Sequence, residues 1–165
     1  LLINQHGISE LDDAQDYIAR LNGLPGLFDQ LAEKLELRAE KGIIAPKFVY
    51  PYVISDSKNI ITGAPFDDGE PSALWKDFTS KVEKLELEES QREELLASAE
   101  KAMLESVKPA YEGLITAVEG IAEQATTKDG AWKFPDGEAF YNNALKRTTT
   151  TDLTAEEIHE IGAYS

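Results

Sequence analysis

Between residues 88 and 124, apolar side chains recur at helical spacing: Leu95, Leu96, Ala99, Met103, Val107, Ala110, Leu114, Ala117, Val118 and Ile121. A stripe of this length specifies one long amphipathic helix, which other elements must cover along one side. Pro109 falls inside it. Its ring has no N–H to give, so the helix is expected to bend there and to free a carbonyl one turn earlier.

The segments before it also have helical period. Residues 10–42 predict a hairpin. Its first helix carries Leu11, Ala14, Ile18 and Leu21, with Asp12 and Asp13 in the first turn, where the helix dipole favours anions. Asn22-Gly23 stops it. Pro25 suits the opening turn of the second helix, which carries Phe28, Leu31 and Leu35 and ends near Lys41-Gly42. A helix over 46–60 holds Phe48, Val49, Tyr52 and Val53, and Pro51 predicts a kink or a late start. Residues 63–71 are loop-like, and 72–85 form a helix with Leu74, Trp75, Phe78 and Val82 on one stripe.

After the long helix, 125–153 predict a loop, a helix capped by Asp136, and an extended β-branched run over 148–151. A last helix over 154–165 starts on a capping box, Thr154 with Glu157. No segment has strand period, and no repeat is convincing. The class is all-α: helical hairpins packed on one long Pro-kinked helix, a single domain or fragment over 1–165. The absence of an initiator Met, and a helix that starts only two turns before Ser165, make a piece of a larger, mainly helical protein the expectation.

Charge narrows the function. Sixteen Lys+Arg against 31 Asp+Glu leave a net charge of −15, which disfavours nucleic acid as a partner. The 42 % hydrophobic content and two Trp argue against a disordered acidic tail. With no cysteine there are no disulfides, thiolate zinc sites or cysteine nucleophiles. No apolar run is long enough for a transmembrane helix. The Glu-rich stretch over 83–94 is a solvated helical face. Asp67-Asp68-Gly69-Glu70 lacks the register of a calcium loop.

His159-Glu160 opens like a zinc-protease helix, but Ala163 stands where the second histidine is required. Glu156 and His159 have the spacing of half a di-iron site, and the other half is missing, since His6 is the only other histidine. The expectation is therefore no metal and no catalytic residue in this chain. The densest aromatic region, Trp132 with Phe134, Phe140 and Tyr141 around Pro135-Asp136-Gly137, either lines a groove or wedges a loop onto the core.

Three ordered stretches carry a family resemblance: Lys108-Pro109-Ala110-Tyr111-Glu112-Gly113-Leu114; Trp132-x-Phe134-Pro135-Asp136-Gly137-Glu138-Ala139-Phe140-Tyr141; and Thr149-Thr150-Thr151-Asp152-Leu153-Thr154-x-Glu156-Glu157-Ile158-His159-x-x-Gly162. Asn4-Gln5, Asp16-Tyr17-Ile18-Ala19-Arg20-Leu21 and Gly42-Ile43-Ile44-Ala45-Pro46-Lys47 fit the same pattern. Together they resemble the bacterial family known as domain of unknown function 885, whose members are often labelled lipoproteins or peptidases. The resemblance implies a largely helical protein of several hundred residues, similar to zincin-type zinc peptidases. Zinc, its His-Glu helix and the general base would lie on a later segment of that parent, and the parent's substrate would be a peptide. This chain would be a non-catalytic part of the cleft wall or scaffold, with Tyr141, Thr150 and His159 facing the cleft. The alternative is a helical binding or structural module of a cell-envelope lipoprotein with no catalysis. Pro51 and Ala163-Tyr164-Ser165 depart from the family pattern. An acidic adaptor for basic partners is a third reading, carried by net charge alone.

Overall fold

Local hydrogen bonds set most helix starts. Ser72 Oγ accepts from the Trp75 N–H at 3.2 Å, and Thr154 Oγ1 accepts from the Glu157 N–H at 3.3 Å. The Asp13 carboxylate accepts from the N–H groups of Ser9 and Glu10, and Gln91 accepts from the Glu88 N–H. The computed structural model describes residues 2–164, so the expected outer bounds at Leu1 and Ser165 lie outside the described residues. In chain order the helices are α1 (Leu2–Gln5), α2 (Leu11–Asn22), α3 (Leu24–Glu40), α4 (Tyr50–Ile60), α5 (Ala73–Val82), α6 (Glu89–Ala102), α7 (Lys108–Gln124), α8 (Gly137–Thr149) and α9 (Ala155–Ala163). Among the described residues there is no β-strand; one bridge, Ala64 to Pro71, closes the loop between α4 and α5.

The long helix is present as α6 and α7 joined by a π-turn, Met103–Val107. Pro109 sits at the start of α7. In a regular α-helix its ring would press on the Glu105 carbonyl. The wider turn relieves that contact and adds a residue, which rotates the following apolar stripe by about 100°. Two cores result. Around α6 and the π-turn, Tyr17, Leu21, Phe78, Val82, Met103 and Val107 pack with Phe66 of the loop. Around α7, Leu114, Val118, Ile121 and Ala125 pack with Tyr50, Phe28 and Leu35.

Four expectations are refined. The 10–42 segment does form two helices, joined at Gly23 alone, but α2 lies mainly against α6 and α3 against α7. Pro51 gives the late start: a 3-10 turn, Lys47–Val49, precedes α4. Asp136 occupies the N-cap of α8, but its side chain makes no capping bond. The extended assignment over 148–151 is overturned at Thr148, Thr149 and Thr150, the last of which is left-handed at the C-cap of α8. Thr148 and Thr149 are helical, and the Thr149 hydroxyl donates to the Leu145 carbonyl at 2.9 Å. That bond back to the preceding turn lets a β-branched residue stay in the helix.

The 63–71 loop is ordered. Asp67 accepts from the N–H of Gly63 at 2.9 Å and of Gly69 at 2.7 Å, and these bonds hold its carboxyl below the usual range. Gly63 has φ +88°, and a Cβ there would come within 2.2 Å of the Glu70 carbonyl, so glycine is required. Lys108 reaches from the spine to the Phe66 carbonyl at 3.1 Å.

Phe78 is fully buried, whereas Phe48 is 60 % exposed. Phe78→Ala should destabilise the fold by about 3–5 kcal/mol, lowering Tm by roughly 6–20 °C. Phe48→Ala should stay within about 0.5 kcal/mol. Thermal denaturation followed by circular dichroism checks both.

Candidate functional site

The three expected cleft residues all lie on the C-terminal arm. Tyr141 is on α8, Thr150 caps its C-terminus, and His159 is on α9. All three are exposed, and among the described residues no side-chain hydrogen bond joins them. The structure thus puts them on one arm without assembling them into a centre. Thr150 is left-handed, with φ +56°, an unusual conformation for a β-branched residue.

The aromatic region divides between groove and wedge. Phe134 and Phe140 stack edge to face at 6.1 Å, and the Pro135 ring lies over Gly42. At Gly137 a Cβ would come within 2.2 Å of the Ala131 carbonyl, so the 3-10 turn Ala131–Lys133 closes onto α8 only with glycine there. Trp132, Phe140 and Tyr141 remain exposed.

A second cluster gave no motif in the sequence. Tyr17 is fully buried between His6 and Phe78, with ring centroids 5.1 and 5.2 Å away. Its hydroxyl donates to Asp77 at 3.1 Å. Lys81 donates to the same carboxylate oxygen at 2.8 Å and to the carbonyls of Leu2, Ile3 and His6 at 3.3, 3.1 and 2.9 Å. The cation thereby neutralises Asp77 and holds the last carbonyls of α1, where a helix favours positive charge. Arg20 has only hydrogens to offer to His6 Nδ1 at 2.9 Å, so Nε2 carries the ring proton and donates to the Asp13 carbonyl at 3.0 Å. The signals were present as Asp77 and Lys81 one turn apart, but their partners lie about sixty residues or more away in the chain.

Neither histidine fits a zinc site. Both ring nitrogens of His6 are engaged, and His159 is exposed on α9. Among the described residues no three His, Cys, Asp or Glu are grouped to hold a metal ion, and no helix is long and apolar enough to cross a membrane.

The cluster is a structural lock, and its strength is measurable. Lys81→Met keeps the stem but removes the cation from Asp77, which retains the Tyr17 hydroxyl, and the side-chain donor from the Ile3 and His6 carbonyls. A loss of about 2–3 kcal/mol is expected after allowance for partial exposure. Tyr17→Phe should cost about 1 kcal/mol. Burial, then the Asp77 charge and hydrogen bond, lift the Tyr17 phenol far above its ordinary value. Its contribution is therefore intact below pH about 10, where the unfolded phenol begins to ionise, and is lost as pH rises further. Denaturant titrations from neutral to alkaline pH should show a steeper loss of stability in the wild type than in Tyr17→Phe.

Comparison with known proteins fits this all-helical architecture. A crystal structure described as "the putative lipoprotein from Colwellia psychrerythraea" superposes with a TM-score of 0.85 at 26 % identity. The match covers 98 % of this chain and 27 % of that one, so the chain spans about a quarter of that protein's length. No curated protein sequence matches. The family profile described as bacterial protein of unknown function (DUF885) matches residues 1–164, and the chain belongs to that family.

Proposed function

We propose that this chain is a helical scaffold segment of a longer, zincin-like peptidase, in which the α8–α9 arm forms part of the wall of the substrate cleft. One observation carries this reading. Phe140, Tyr141, Ile161 and Tyr164 stand exposed on the arm, while neither core includes a residue from α8 or α9. Leu27, Leu31, Phe48 and Tyr52 are exposed along α3, α4 and the turn before α4 as well, but those helices also supply Phe28, Leu35 and Tyr50 to the core. The arm exposes its apolar groups and supplies none, and that combination supports reading it as an interaction surface. The likeness to part of a much longer protein supports the same reading.

On this reading the chain contributes no catalytic group. Zinc, its ligands and the general base belong to another segment of the longer protein. The arm excludes water and offers Tyr141, Thr150 and His159 as polar contacts to a bound peptide. The second reading is a binding or structural module of a cell-envelope lipoprotein without catalysis. It is favoured by the description of the solved relative as a lipoprotein.

Zinc content and peptide cleavage of the longer protein separate the two. The first reading expects bound zinc and cleavage that is lost on chelation. It also expects Tyr141→Phe and His159→Ala each to lower kcat/KM by about tenfold, the worth of one hydrogen bond. Unchanged kcat/KM in both variants removes the arm from the cleft. A longer protein without zinc or cleavage leaves the structural module.

A further inference from the structure

A pocket of about 210 Å³ lies between α3, α4 and α7, with no lining residue from the Tyr17 cluster or the C-terminal arm. Its walls are apolar: Leu35, Ile43, Val53, Val118 and Ile121, with the Tyr50 ring. The one charged side chain in the lining is Arg38. Among the described residues Arg38 joins no ion pair, and neither do Lys34 or Lys41. The three stand at i, i+4 and i+7, on one side of α3 and its C-cap. Of the acids of α3, Glu36 and Glu40 line a neighbouring groove with Ala117 and Gly120, and Asp29 lines another with Glu36 and Pro109. A molecule of net charge −15 thus places Lys34, Arg38 and Lys41 in one strip beside an apolar hollow. Burial raises the Tyr50 phenol, against the pull of an Ala45 backbone hydrogen bond and the Arg38 charge, so its hydroxyl stays protonated at neutral pH.

We propose that this pocket binds a small apolar monocarboxylate, its hydrocarbon group among Leu35, Val53, Val118 and Ile121 and its carboxylate on Arg38. The sign of the unpaired charge selects an anion, and the guanidinium matches a planar carboxylate with two parallel hydrogen bonds. The walls select an aliphatic group over a sugar or a base, whose polar atoms would be left without partners. The volume falls below the ~300–1,000 Å³ of sites for drug-sized ligands, so one short chain or one side chain fills it. Such a group is supplied either by a free aliphatic acid or by the C-terminal residue of a peptide, and both present the same chemistry.

The test is a titration of the folded chain followed through the methyl NMR signals of Leu35, Val53, Val118 and Ile121. Butyrate, hexanoate and octanoate should bind saturably, tightening roughly three- to fourfold per methylene until the pocket is full. Arg38→Gln, at an exposed position, should weaken hexanoate about tenfold or more while leaving the thermal transition in place. Val53→Trp, which plugs the mouth, should abolish binding. Octylammonium should not bind. N-acetyl-leucine tighter than hexanoate assigns the site to a peptide C-terminus, and the reverse order assigns it to a free acid; either result supports the proposal. Equal binding of octylammonium, unchanged affinity in Arg38→Gln, or no saturable shift at millimolar concentration overturns it.

Discussion

A proline in the middle of the longest helix governs the arrangement of the others. Pro109 denies α7 one N–H and would crowd the Glu105 carbonyl, and the chain answers with the π-turn Met103–Val107. The added residue turns the apolar stripe, so α6 and α7 offer their buried faces in different directions. Each half then needs its own cover. Helices α2 and α5 close over α6 with Tyr17 and Phe78, while α3 and α4 close over α7 with Phe28 and Tyr50. The junction of α2 and α3 at Gly23 follows from the same demand, because consecutive helices have to serve opposite halves of one spine. Lys108, next to the proline, also ties the 63–71 loop to the spine through the Phe66 carbonyl.

Charge is divided as sharply as the apolar surface. Most acids are on exposed faces, where a net charge of −15 keeps the surface solvated. The acids with structural work are the ones held by donors. Asp13 is fixed by Ser9 and Glu10, Asp67 by Gly63 and Gly69, and Glu157 by Thr154, and in each case the hydrogen bonds keep the carboxyl below its ordinary range. Asp77 is different in kind. It is largely buried and shares Lys81 with carbonyls of α1 and of His6 just after it. That four-residue helix is too short to persist by itself and is held by a side chain from a distant element.

The spacing of apolar residues made most of the fold legible. The cap at Thr154 and the late start at Pro51 could be read because each rests on residues a few positions apart. The interruption at Pro109 was legible, but its form was not, although Leu95, Ala99, Met103 and Val107 advance by four at every step, slower than a regular α-helix turns. The threonine run misled because β-branching is a weak preference, overridden by one bond from Thr149 to Leu145. The Tyr17–Asp77–Lys81 cluster and the pocket beside Arg38 were not legible at all. Both are assembled from segments far apart in the chain, and no local pattern records which segments will meet.

In the C-terminal arm, local bonding and tertiary packing part company. Its helices are specified locally: Gly137 admits the 3-10 turn, and the Thr154–Glu157 pair starts α9 with bonds of 2.7 and 3.3 Å. Yet α9 has only nine residues, and helices that short are marginal without packing. Caps are worth about 1 kcal/mol each, whereas covering one large apolar side chain contributes about 1.5–3 kcal/mol. The arm has the α9 capping box but little of that burial: Ile161 and Tyr164 stay exposed at α9, and Phe140 and Tyr141 on α8. An arm whose last helix has a well-specified start and whose apolar groups are so little covered gains from a surface laid against it. That asymmetry is the physical basis for reading the arm as the working face of the chain and the Pro109 spine as its support.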